Sequence, residues 1–92
     1  MEIGKDNAGS ADATEVDRTK LEEGRYANYF EVGHNAFEFV LDFGQAFENE
    51  PVRIYLRVIA TPDSARRLWK VLQDALDKYH NTFGTLTKDD IA

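Results

Sequence analysis

The chain has 92 residues, a formal net charge of −6 and 42% hydrophobic residues, which is enough for one small acidic domain. It contains no cysteine, which excludes disulfide bonds, a thiolate nucleophile and cysteine zinc sites. No run of about 18 apolar residues occurs, and the first residues lack the apolar segment of a secretory signal, so we expect neither a membrane span nor a signal peptide. These observations predict a cytoplasmic protein.

The first part of the chain differs in composition from the rest. Residues 1–24 carry seven acidic and three basic side chains and no aromatic residue. A segment so poor in large apolar groups cannot offset the entropy lost on ordering, so we predict a largely disordered acidic arm. A tail that folds on contact with a partner is the alternative. Residues 25–84 then form the domain, and residues 85–92 form a short tail.

Three stretches of the domain alternate apolar and polar residues with a period of two, which predicts strands. They cover residues 26–32, 37–43 and 52–59, and they are separated by a turn at 33–36 and a polar loop. The short connections favour an antiparallel meander.

The charges on the second and third strands favour a register. A pairing that sets Asp42 opposite Arg53 also sets Glu38 opposite Arg57, so two opposite-charge pairs form together. Both pairs are expected on the outer face of the sheet, and the apolar side chains of the two strands are expected on the inner face.

A long amphipathic helix follows the strands. Thr61 is a suitable N-cap, Pro62 suits the first helical position, and Asp63 favours the positive end of the helix dipole. The apolar residues that follow fall on one stripe at helical spacing: Ala65, Leu68, Trp69, Leu72, Ala75, Leu76, Tyr79 and Phe83. Gly84 ends the helix. We therefore predict an α+β fold, a three-stranded antiparallel meander followed by one long C-terminal helix (β-β-β-α), with the helix covering the inner face of the sheet.

Residues typical of catalysis are sparse. Ser10 lies in the arm and Ser64 in the first turn of the helix, and neither is near a recognisable base. His34 and His80 have no metal-ligand spacing. We therefore predict no catalytic residue, no metal site, no cofactor and no enzymatic activity.

The outer face of the sheet holds the best candidate for a binding surface. The predicted registers place Val40 between Tyr29 and Tyr55, which gives an apolar row rimmed by charges, as in protein interfaces. The expected partner-binding residues are Tyr29, Val40, Tyr55, Arg53, Arg57 and Ile59. The sequence thus favours a non-enzymatic interaction or assembly module that forms homo-oligomers or holds an apolar partner segment on its open sheet face. A domain of about 60 residues is near the lower limit for folding alone, which favours a dimer.

The alternative is a nucleic-acid-associated accessory protein. Tyr29 and Tyr55 could stack bases, with Arg53 and Arg57 binding phosphates. The acidic side chains on the same face and the net charge of −6 oppose this interpretation.

Three elements of the sequence carry a family resemblance: residues 23–28 (EGRYAN), residues 38–44 (EFVLDFG) and residues 57–62 (RVIATP). In this order they resemble a small prokaryotic family that is catalogued only as a domain of unknown function. The resemblance covers about 60 residues and leaves out the arm at 1–20. It implies a short β-rich half followed by one helix, and it implies no catalytic residue, cofactor or partner.

Overall fold

The computed structural model describes residues 6–7 and 15–86. Its elements are strands β1 (Tyr29–His34), β2 (Phe39–Gln45) and β3 (Arg53–Ala60), followed by helix α1 (Pro62–Phe83). The strands form one antiparallel sheet in the order β1-β2-β3. The predicted β-β-β-α order and the α+β fold class are confirmed.

The predicted arm lies partly outside the described residues. Residues 1–5 and 8–14, like residues 87–92 of the predicted tail, are among the residues that the structure does not describe. Residues 15–28 form no helix or strand, although a turn is closed by the bond from the Leu21 amide to the Arg18 carbonyl. Asn28 joins this segment to the sheet, because its side chain exchanges hydrogen bonds with the backbone of Ala46.

The first turn lies two residues later than predicted. Gly33 belongs to β1, where it pairs with Val40, and its φ is not positive. The turn is instead built by Asn35, whose side-chain oxygen accepts from the amides of Phe37 and Glu38 at 2.8 and 2.9 Å. Short polar side chains stabilise turns in this way.

Both strand pairings differ from the predicted registers by four residues. Asp42 pairs with Arg57, so the predicted pairs Asp42–Arg53 and Glu38–Arg57 are wrong. Because four is an even number, side chains keep their predicted face while their neighbours change. Residues 53 and 54 of β3 are the exception, because an irregularity at Gly44 reduces the shift there to three, and Ile54 pairs with Gly44 and Arg53 with Gln45. One ion pair therefore forms where the sequence predicted two.

A bulge interrupts the pairing of β2 with β3 at Gly44. Phe43 pairs with Leu56, whereas Gly44 pairs with Ile54, so Tyr55 is the extra residue. A Cβ atom on Gly44 would lie 2.3 Å from the backbone oxygen of Arg53, far inside ordinary contact distance. Only glycine fits this position without a shift of β3.

Helix α1 begins and ends as its sequence predicts. The Thr61 hydroxyl accepts a hydrogen bond from the Ser64 amide at 3.1 Å, and Pro62 occupies the first turn. At the other end, Gly84 adopts a φ of 94° and its amide donates to the His80 carbonyl. Glycine is favoured here because its φ lies in the left-handed region.

The expected packing of the helix on its own sheet is wrong. Helix α1 has no buried residue, and Trp69 and Phe83 on its apolar stripe are 62% and 74% exposed. On the inner face of the sheet, Phe30 and Val32 are 59% and 61% exposed. Among the residues that the structure describes, no apolar side chain is buried. The described part of the single chain therefore has a sheet and a helix, but no hydrophobic core.

Candidate functional site

One side of the sheet is apolar, and we call it the apolar face. It is defined by side chains in adjacent transverse rows of the sheet: Phe30, Val32, Phe39, Leu41, Phe43, Leu56 and Val58. The ring of Phe30 meets that of Phe43 edge to face, with centroids 5.8 Å apart, which is a favourable aromatic geometry. The residues on the central strand are half-buried, while those on both outer strands are exposed. The apolar face is therefore assembled by the sheet, and its two outer strands are exposed to solvent.

The second apolar surface is the helical stripe, defined by Leu68, Trp69, Leu72, Leu76, Tyr79 and Phe83. All six side chains are at least 40% exposed. Tyr79 and Phe83 lie one turn apart with ring centroids 5.0 Å apart. A helix that is apolar along one side normally buries that side against another element, and no element among the described residues buries this stripe.

The opposite side of the sheet, which we call the polar face, carries a row of charges across all three strands. Glu31 pairs with Asp42, and Asp42 pairs with Arg57. Arg57 binds Asp42 through two hydrogen bonds of 2.8 Å, one to each carboxylate oxygen. The Tyr29 hydroxyl donates to Glu31 at 2.7 Å. Two carboxylates that face each other across strands would repel, and Arg57 and Tyr29 each compensate one of them.

These contacts shift two pKa values. The hydrogen bonds from Arg57 lower the pKa of Asp42 below its ordinary value, against the opposite effect of burial. The hydrogen bond from Tyr29 to the Glu31 carboxylate raises the pKa of Tyr29. Asp42 is only 7% exposed, so its charge is a structural part of the sheet, held by Arg57.

The structure does not bring Tyr29, Val40 and Tyr55 together in the predicted row. Tyr29 pairs with Gly44, whereas Val40 pairs with Gly33 on one side and Ile59 on the other. Val40 and Ile59 do share the polar face, and Ile59 is 61% exposed. Of the two predicted arginines, Arg57 is held by Asp42, and Arg53 lies opposite Gln45 at the end of the sheet.

Tyr55 is engaged with the segment that precedes β1. Its hydroxyl donates to the Tyr26 carbonyl at 2.6 Å, and the guanidinium of Arg25 lies 3.7 Å from the centre of its ring. Tyr55 and Arg25, together with Phe43 and Leu56, line a cleft of about 340 Å³. Tyr55 thus attaches the segment before β1 to the sheet, and one side of its ring is covered.

The described residues contain neither a cluster of metal ligands nor a helix that could cross a membrane. Acidic and histidine side chains in residues 6–7 and 15–86 do not gather into a group of three or more that could hold a metal ion. No helix in the same ranges has the length and hydropathy needed to cross a bilayer. His34 stacks on Phe39 with ring centroids 5.1 Å apart, and His80 lies beside Tyr79.

Three of the four residues predicted to bind nucleic acid also make polar contacts within the chain. The hydroxyls of Tyr29 and Tyr55 are both hydrogen-bonded within the chain, and Arg57 is bound by Asp42. Phosphate binding requires a surplus of positive charge, and these contacts leave Arg57 already neutralised by its partner.

Sequence reasoning assigned the apolar face and the helical stripe to an internal core and so missed them as a site. The sequence feature that could have revealed this is the short connection between β3 and α1. Ala60 ends β3, Pro62 begins α1, and Thr61 alone separates the two. A strand and a helix that pack on each other are usually joined by two to six residues, so the length of this connection already argues against packing within one chain.

No curated protein and no solved structure matches the chain. One family model, described as "Protein of unknown function (DUF3467)", matches residues 1–88. This span includes the acidic arm, whereas the sequence analysis placed residues 1–20 outside the family resemblance. Because the match covers nearly the whole chain, the protein belongs to the DUF3467 family of proteins of unknown function.

Proposed function

We propose that this chain is a non-enzymatic assembly module whose functional unit is a homo-oligomer, with the dimer as the smallest form. The observation that carries this proposal is the lack of a buried apolar side chain in the described residues. Burial of apolar surface is the main favourable term in folding. A chain that buries so little by itself needs a second chain to complete its core.

The exposed apolar area supports an obligate contact. From the exposed fractions of the helical stripe and the outer strands, each chain offers on the order of 1,000 Å² of apolar side-chain surface, taking about 150–250 Å² for a whole aromatic side chain. A standard protein interface buries about 800 Å² on each partner. Monomeric proteins seldom expose continuous apolar patches of this size.

The polar face supports the non-enzymatic part of the proposal. Asp42 and Arg57 on this face form an ion pair with each other, and Glu31 accepts a hydrogen bond from Tyr29. A catalytic constellation would instead direct such groups at a shared cleft. A cytoplasmic location and a prokaryotic source remain predictions from the sequence.

Sedimentation equilibrium of the full chain at micromolar concentration tests the proposal. We expect a species of at least twice the monomer mass of 10.5 kDa. Trp69→Ala should weaken association by about 2 kcal/mol or more, because it truncates a large aromatic side chain of the stripe that is 62% exposed in the single chain. The matched control is Lys70→Ala, which removes an exposed side chain that pairs with Asp74 and should change association by less than about 0.5 kcal/mol. A monomer with a cooperative melt, or equal effects of the two variants, would refute the proposal.

The same experiment tests the alternative that an apolar segment of another protein, and not a second copy of this chain, covers the apolar face. A chain that only holds foreign segments would sediment as a monomer when purified. Binding to single-stranded oligonucleotides at low salt, lost as the salt concentration rises, would instead support the nucleic-acid alternative.

A further inference from the structure

The connection between β3 and α1 determines where the helix goes. Thr61, the only residue between Ala60 and Pro62, has an extended backbone with φ −68° and ψ 158°. Its carbonyl already accepts the first helical hydrogen bond, from the Ala65 amide at 2.9 Å. One extended residue cannot reverse the chain, so the helix leaves the end of β3 instead of folding back over the sheet.

We propose that the occupant of the apolar face is a second copy of this chain, and that the two copies exchange helices, each laying its helical stripe on the apolar face of the other. This inference rests on the proposed homo-oligomer and specifies which surfaces meet. Helix exchange buries the apolar face and the helical stripe of both copies. It does so through one contact that occurs twice, as a two-fold symmetric dimer requires.

The helical stripe is large enough to cover the apolar face. Three strands spaced about 4.8 Å apart give a face about 10 Å wide, which is close to the diameter of one helix with its side chains. The stripe from Leu68 to Phe83 is about 22 Å long at about 1.5 Å per residue. The apolar face extends from Phe39 to Phe43 along β2, which is about 14 Å at about 3.4 Å per residue. One helix is therefore wide enough and long enough to cover one apolar face, and the stripe extends beyond it by about 8 Å.

The two surfaces also match in chemistry. Both consist of aliphatic and aromatic side chains, and the charges of the helix lie away from the stripe. Five of those charges are paired along the helix itself: Asp63 contacts Arg66 and Arg67 at 2.8 Å, and Lys70 contacts Asp74 at 3.0 Å. A chain with a net charge of −6 can therefore bring its helix to a second copy without burying an unpaired charge.

The absence of cysteine makes disulfide trapping a direct test. One full-length chain carries Val58→Cys on the apolar face, and a second carries Leu72→Cys on the stripe. The two are mixed in urea, refolded together and oxidised, and the products are resolved on a non-reducing gel and identified by mass spectrometry. We expect a Val58–Leu72 heterodimer in at least tenfold higher yield than the heterodimer from the control pair of Val58→Cys with Lys70→Cys, because Lys70 lies on the opposite side of the helix.

Three results would overturn helix exchange. Equal yields from the two pairs would show that the stripe does not lie on the apolar face. Leu72–Leu72 crosslinks that exceed the heterodimer would indicate helix-on-helix association. An internal disulfide in the monomer of a double variant, Val58→Cys with Leu72→Cys, would show that each helix covers its own sheet. A dimer in sedimentation that gives either of the first two results leaves the proposed homo-oligomer standing and rejects only the exchange.

Discussion

Gly44 provides the sharpest test of the described sheet, because the structure leaves no room for a side chain there. In Gly44→Ala the new Cβ would lie 2.3 Å from the Arg53 oxygen and 3.0 Å from Cδ1 of Ile54. The obstructing atom is backbone, so relief requires β3 to move away from β2 and weakens the pairing beside the bulge. Overpacking of this kind costs about 1–3 kcal/mol.

Gly33→Ala is the matched control. A Cβ atom on Gly33 would meet nothing within 4 Å, and Gly33 lies in a regular strand with no positive φ. Replacement of such a glycine by alanine stabilises by about 0.4–1 kcal/mol through the unfolded chain. Urea unfolding followed by circular dichroism should be compared at equal protein concentration, because the stability of an oligomer depends on concentration. If the two variants are equally stable, the described pairing of Gly44 is wrong.

Three further predictions concern single contacts. The pKa of Asp42 is lower in the folded chain than its ordinary value of 3.8, so its contribution to stability is present at neutral pH and is lost as the pH falls below 3.8. Asp42→Asn should reduce this acid-side loss in thermal melts, and an unchanged pH dependence would contradict the pairing with Arg57. Tyr55→Phe removes the hydrogen bond to Tyr26, which should cost about 0.5–1.5 kcal/mol and speed limited proteolysis before β1; equal cleavage rates would count against this contact. Thr61→Ala removes the N-cap and should cost about 0.5–2 kcal/mol in urea melts, whereas no loss would show that the cap is not needed.

The sequence predicted the type and order of every element because the apolar period is strong in each. A period of two also assigns each strand residue to a face, and outside the bulge these assignments survive an error of four residues in register. The register itself depends on the turn. Asn35 closes the turn between β1 and β2 with its own side chain and so fixes that register. Between β2 and β3, the two hydrogen bonds of Arg57 to Asp42 replace the two charge pairs on which the predicted register relied.

The candidate site was harder to predict, because apolar stripes on a strand and a helix look the same whether one chain or two complete the core. The sequence reasoning assumed the first case and placed the partner-binding residues on the polar face. Arg57 illustrates the error. It was predicted to bind a partner, but in the structure its guanidinium is bound to Asp42 within the sheet. Bulges such as the one at Tyr55 leave no clear mark in the period of two.

The lack of a buried apolar side chain in the described part of the single chain also has a kinetic consequence. If two chains must meet before a core exists, the slow step of refolding is bimolecular, and doubling the protein concentration halves the half-time. Most small domains instead refold at a rate that does not depend on concentration. In a cell, the same dependence would make the folded fraction a steep function of expression level, with unpaired chains left open to proteases. The single-residue connection that keeps the helix off its own sheet would thus make resistance to proteolysis depend on the concentration of the protein.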